Sequence, residues 1–198
     1  CLSLHWLTHP SNRNTTIPST AVLRQNMLGD WYVVEYYASA EEALSYSCMR
    51  AVFTEDDHWT PGVTMNFTYR FADDPLGENL LGNITWKVDL NEPAHWTHSE
   101  ITYDGIYNTY VLDTEYKTWM LLLHCAEQRE GARYLSAFVL SRKTTLPKNV
   151  MAYLRDKLPS YLHNIYNFKV KNRLISARMC PMNYNIINKN VYTKNLPS

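Results

Sequence analysis

The sequence predicts an all-β fold, an eight-stranded antiparallel up-and-down barrel with one C-terminal α-helix packed on its outside. Three observations point there. Eight short extended stretches follow one another between turn-prone separators such as DDHWTPG, ADDPLGENLLG, LNEPAH and EQREGA. Bulky side chains occupy both parities of several of these stretches, beginning with WYVVEYYA, whereas a strand covered on one side alone would alternate apolar and polar residues. Beyond the last stretch, LPKNVMAYLRDKL places Val150, Met151, Leu154 and Leu158 at helical spacing behind Pro147. Eight strands in a row either close into a barrel or split into a sandwich, and closure removes the exposed edges.

The strands are expected over 30–38, 48–55, 63–71, 83–90, 97–104, 107–113, 117–125 and 133–142, with the helix over 147–158. In the first, Glu35 shares the parity of Trp31, so it points inward unless a local bulge turns it out. SAEEALSYS, which follows, suits a short lid helix. Asn66 and Asn83 head N-x-T sequons inside the third and fourth strands, and Asn14 heads another near the N-terminus. Sugars must lie outside, which turns Met65, Phe67, Tyr69 and Phe71 inward from one strand and Ile84, Trp86, Val88 and Leu90 from the next. The loop between them exposes Leu80 and Leu81 at the rim.

In the seventh strand an outward Cys125 places Trp119, Leu121 and Leu123 outside, with Met120, Leu122 and His124 inside. The eighth agrees, with Leu135, Ala137 and Val139 outside and Tyr134, Ser136, Phe138 and Leu140 inside. An apolar outer face needs a cover, and the amphipathic helix is the available one.

Composition narrows the function. The 198 residues suit one domain, which buries about 70% of the surface its unfolded chain would expose. Nineteen basic and nineteen acidic residues cancel, so no field gathers nucleic acid. Cys1, Cys48, Cys125 and Cys180 form no metal-like spacing and allow three disulfide pairings. No apolar run reaches the ~20 residues of a membrane-spanning helix. With no signal peptide visible, a chain starting at Cys1 reads as a processed, secreted form. Fifteen Tyr and six Trp suit a protein that lines a space with flat, amphipathic groups.

Three stretches carry a family likeness in order. Gly29, Asp30 and Trp31 open the first strand as a GxW motif; Thr114, Glu115 and Tyr116 stand between the sixth and seventh strands; Ser141 and Arg142 end the eighth. The chain resembles the lipocalins over about residues 28–180, with Glu115 standing where the family usually has Asp. The resemblance implies a barrel over 28–142, an N-terminal arm over 1–27, and an Arg142 side chain packed across Trp31 at the closed end. A C-terminal segment over 159–198 would be tied by a disulfide. It further implies the pairs Cys1–Cys125 and Cys48–Cys180, as in the branch of apolipoprotein D, Lazarillo and the insect bilin-binding proteins.

For function the likeness implies a secreted carrier of one small hydrophobic ligand, a retinoid, steroid, bilin or lipid, with no required cofactor. The alternatives are a secreted storage or structural protein with an incidental cavity and a lipocalin-type isomerase. The thiols are better used in disulfides than in catalysis. Expected lining residues are Tyr37, Phe53, Phe67, Tyr69 and Phe71, with Trp86 and Val88 from the fourth strand. Met120, Leu122 and His124 come from the seventh, and Tyr134 and Phe138 from the eighth. His124, near the open end, could hold a carboxylate or pyrrole oxygen, or make ordinary rim contacts. Apolar rim loops could touch a membrane or lipoprotein surface.

Overall fold

A computed structural model describes residues 25–38, 46–56, 62–71, 74–100, 105–126 and 134–158. The strands are β1 Gly29–Ala38, β2 Tyr46–Asp56, β3 Gly62–Phe71, β4 Leu80–Val88, β5 His95–Glu100, β6 Gly105–Glu115, β7 Trp119–Ala126 and β8 Tyr134–Ser141, followed by α1, Lys148–Asp156. Each strand pairs antiparallel with the next, and β8 returns to β1, so the barrel is closed. The arm over 1–24, most of the lid segment and the chain beyond 158 lie outside the described residues.

Two apolar clusters divide across the wall. One fills the lumen, with Trp31, Val33, Phe53, Met65, Trp86, Val88, Met120, Leu122 and Leu140. The other lies outside, where Leu121, Leu123, Cys125, Leu135, Ala137 and Val139 meet Leu154 and Leu158. The parities read from the sequons, Cys125 and the helix therefore hold, with Asn66 and Asn83 exposed and directly opposite one another in register.

The helix is fixed by polar contacts around that outer cluster. Tyr153 donates to Asp113 Oδ2 at 2.6 Å, Lys157 pairs with the same carboxylate at 3.2 Å, and Arg155 reaches Glu35 at 2.6 Å.

Bulges reset the phase twice. In β1, Val33 pairs with Leu140 and Glu35 with Val139, which leaves Val34 as an extra residue. Glu35 thus turns outward to Arg155, and the parity beyond it inverts. In β6 the same irregularity falls between Val111 and Asp113 and aims Asp113 outward at the helix.

Some strand ends differ from the sequence reading. β4 starts at Leu80 and stops at Val88. Leu80 and Leu81 therefore belong to the sheet, and Leu90, expected inside, is 65% exposed in the following turn. That turn forms because Asp89 accepts the Asn91 amide and ends the ladder. β2 begins at Tyr46, so the last two residues of the expected lid segment are strand. β5 is shorter at its end and β6 longer at both ends than expected.

Candidate functional site

Chain direction gives the barrel its two ends. β1, β3, β5 and β7 all run away from the end that holds Trp31 and Arg142, so their last residues share the other rim.

The Trp31 end is sealed. Gly29 opens β1 at φ +89, a left-handed conformation that glycine adopts without a Cβ clash. The guanidinium of Arg142 lies over the Trp31 ring, 3.8 Å from its centroid. It also donates to the carbonyls of Asp30 at 2.7 Å, Leu28 at 2.8 Å and Asn26 at 2.9 Å. Trp31 Nε1 donates to Met27 O at 2.6 Å. Thr114 Oγ1 donates to Trp119 O, and the amide of Arg142 to Thr118 O, which ties the 116–118 turn to β8. Above this plug, Phe53, Val88, Met120 and Leu122 are packed almost without exposure. These four, expected among the lining residues, lie in a fully packed layer. Trp86 belongs to the same layer, 2% exposed, stacked on Phe53 at 6.4 Å and tilted against Trp96 at 5.5 Å.

Toward the other rim the lumen-facing aromatics are only partly buried: Tyr36, Phe67, Tyr69, Phe71 and Phe138. Tyr36 and Phe138 meet at 4.9 Å. Phe67 and Tyr69 stack at 6.0 Å, and Tyr69 meets Phe71 edge-on at 5.6 Å. Phe67 pairs in register with Gly82, and a Cβ at that glycine would overlap the Phe67 ring. The ring therefore lies flat against the wall because position 82 has no side chain.

Tyr37 was expected in this lining and is not there. The β1 bulge sends it outward into the cluster under α1, where its hydroxyl donates to Glu35 Oε2 at 2.6 Å. Burial, then the Glu35 carboxylate, raises its pKa well above the usual phenol value. Tyr36 takes its place inside. Tyr134 begins β8, but its side chain lies outside the described residues.

The wall from β5 to β7 is polar. His124 points inward as expected and is partly buried, with Nδ1 2.8 Å from Thr109 Oγ1, which also receives Trp86 Nε1–H at 2.9 Å. His98 and Tyr107 stack beside it. Burial draws His98 down to about 4, and burial together with the neighbouring His98 draws His124 to about 3, so both imidazoles are neutral at pH 7.

Sequence reasoning missed His98, Tyr107 and Thr109. The signal was available in WTHSE and IYNTYV, where Trp96 and His98 share one parity and Tyr107, Thr109 and Val111 another. Among the described residues no group of three His, Cys, Asp or Glu could hold a metal ion. No described helix is long and apolar enough to cross a membrane. Cys125 is disulfide-bonded; Cys1 and Cys180, and the Cys48 side chain, lie outside the described residues.

No family model matches the sequence, and no curated protein does. Solved structures match by shape. Apocrustacyanin C2 superimposes with a TM-score of 0.51 at 18% identity, covering 74% of this chain and 84% of that one. The siderocalin Ex-FABP, which functions through dual ligand specificities, gives 0.53 at 16%, covering 71% and 88%. Lobster apocrustacyanin A1 gives 0.52 at 18%, covering 73% and 83%. At these identities the likeness is one of fold: a closed eight-stranded up-and-down barrel with an outer helix, as in lipocalin structures.

Proposed function

We propose that this protein is a secreted carrier that holds one small hydrophobic ligand, of the retinoid, steroid, bilin or lipid type, in the open half of its barrel. One observation carries the reading. The lumen is packed solid from Trp31 up to Trp86, yet the rings above it face inward and stay partly accessible. A barrel filled by its own side chains would bury Phe67, Tyr69 and Phe138 as completely as it buries Phe53. Flat aromatic faces with a few polar groups on one wall are the usual make-up of a small-molecule pocket.

The lining in this reading is Tyr36, Phe67, Tyr69, Phe71, His124 and Phe138, with Trp86 as the floor. The neutral histidines serve binding and not catalysis. Exposed Asn66 and Asn83 and a disulfide-bonded Cys125 support passage through an oxidising secretory compartment. The proposed pairs remain Cys1–Cys125 and Cys48–Cys180. Leu76 and Leu81, 79% and 59% exposed at the β3–β4 hairpin, support contact of the open rim with a lipid surface.

The test has two parts. Protein purified from its source should show a bound guest by native mass spectrometry, and a bilin or carotenoid also by visible absorption. Titration of the emptied protein with retinol, a steroid and a bilin should show at least one submicromolar ligand by tryptophan quenching. Phe138→Ala should weaken that ligand about fivefold or more, the scale of one aromatic contact, with unchanged circular dichroism. Failure of every ligand class, or an unaltered affinity in Phe138→Ala, would remove the carrier reading.

A further inference from the structure

The open half of the lumen is divided by chemistry. One side is lined by Phe and Tyr rings packed on one another: Tyr36 with Phe138, and the row Phe67, Tyr69, Phe71. The other is a stack of polar rings, with His98 on Tyr107 at 4.7 Å between centroids, His98 on His124 at 5.1 Å and Tyr107 on His124 at 5.5 Å. Thr109 engages Nδ1 of His124, so Nε2 is the nitrogen available to a ligand.

Charge is placed elsewhere. Among the described residues, Arg50 and Arg70 project from the outer face to Asp30 and Asn79, and Lys87 is exposed on the outer face of β4. Lys117 lies in the β6–β7 turn, Arg142 and Lys143 follow the closed end of β8, and Lys148, Arg155 and Lys157 belong to the helix region. No described cation faces the aromatic row or the histidine stack.

Building on the carrier reading, we propose that the barrel selects a ligand whose buried polar end is uncharged, a hydroxyl, ketone or amide held by His124 with His98 beside it, and rejects the same ligand ending in a carboxylate. With Nδ1 engaged by Thr109, the neutral imidazole offers Nε2 alone, one hydrogen bond of the kind a hydroxyl or carbonyl can complete. A carboxylate entering the same space loses its water and meets no counterion among the described residues, the costly case of an unpaired buried charge. Protonating an imidazole to meet it would reverse the whole effect of burial on that ring and place the charge against a second histidine 5.1 Å away.

The experiment uses the full disulfide-bonded chain at pH 7.5 and two matched pairs of probes, retinol against retinoic acid and a dansylated undecanol against the corresponding dansylated undecanoic acid. The alcohol of each pair should bind at least tenfold more tightly than the acid. His124→Phe keeps an aromatic ring but removes the hydrogen bond, and should bring the ratio below threefold. His124→Gln keeps a neutral donor and acceptor, and should hold the preference. Equal affinity for alcohol and acid in the wild type, or a preference for the acid, would overturn the proposal while leaving the carrier reading intact. Binding of neither member of either pair would overturn the proposal, and the carrier reading falls with it only if the steroid and bilin titrations fail as well. Should His124→Phe fail to fold, the wild-type ratios and His124→Gln still decide the matter.

Discussion

His98 and His124 show how much one residue's surroundings change its chemistry. Each has an ordinary value of 6.5 and is pulled down by burial, His98 to about 4 and His124 to about 3. The unfolded chain therefore binds more protons than the folded one below about pH 6.5, and folding stability falls as the pH drops through that window. Above it both states carry neutral imidazoles and the effect vanishes. We expect urea unfolding to give a free energy lower at pH 5 than at pH 7.5 by on the order of 1–3 kcal/mol, since each tenfold loss of proton affinity on folding corresponds to about 1.4 kcal/mol. His98→Phe should flatten that slope. A stability independent of pH between 5 and 7.5, or a slope unchanged by the substitution, would show that these rings are not held neutral by the fold. His124 was legible as an inward residue from the parity of β7. Its partners were not, because the stack joins residues of three strands, and only the register of β5 to β6 and β6 to β7 brings His98, Tyr107 and His124 to one place.

Strand by strand, parity was readable wherever chemistry marked one face. Sequons fixed β3 and β4, Cys125 fixed β7, and the helix-facing Leu135, Ala137 and Val139 fixed β8, because a two-residue period is local to each strand. β1 escaped at its far end. Its bulge at Val34 is decided by pairing with β8 and by Arg155, 120 residues away; the charge of Glu35 in WYVVEYYA left a bulge open as an alternative, without deciding it. Tyr36 and Tyr37 exchange faces as a result. The helix that receives Glu35 gives the test at this scale. Leu154 is fully buried in the outer cluster, so Leu154→Ala should cost about 2–5 kcal/mol. The Arg155–Glu35 pair is different, because Arg155 is 44% exposed and Glu35 13%. Solvent screens one side of it, and a double-mutant cycle with Arg155→Met and Glu35→Gln should give a coupling of about 1 kcal/mol. A coupling near zero would mean that the outer leucines, with the contacts of Tyr153 and Lys157 to Asp113, seat the helix without this pair. The bulge would then have no polar reason to turn Glu35 outward.

At the scale of the molecule, closure joins the first strand to the last and leaves the barrel with two unlike mouths. β1 pairs with both β2 and β8, so the first and last strands stabilise each other only once everything between them has formed. Arg142 is the residue through which that late contact is made. Its guanidinium covers Trp31 at 3.8 Å and donates to three main-chain carbonyls on the far side of the closing seam. The ring contact contributes roughly 0.5–2 kcal/mol, and hydrogen bonds to a charged group up to about 1.5–3 kcal/mol each net of exchange with water, less where the group is partly exposed as here. Arg142→Met keeps the apolar stem and should lower stability by about 2–4 kcal/mol. Arg142→Lys should recover little, because one ammonium cannot cover the indole and reach three carbonyls in a fan. Because the damage is confined to the closed end, amide exchange should quicken at 28–31 and in the 116–118 turn, while affinity for an open-half ligand stays within threefold of wild type. A large loss of affinity in Arg142→Met with intact secondary structure would mean that the plug and the open half are one cooperative unit, and that the packed floor at Trp86 does not insulate the site from the end that seals it.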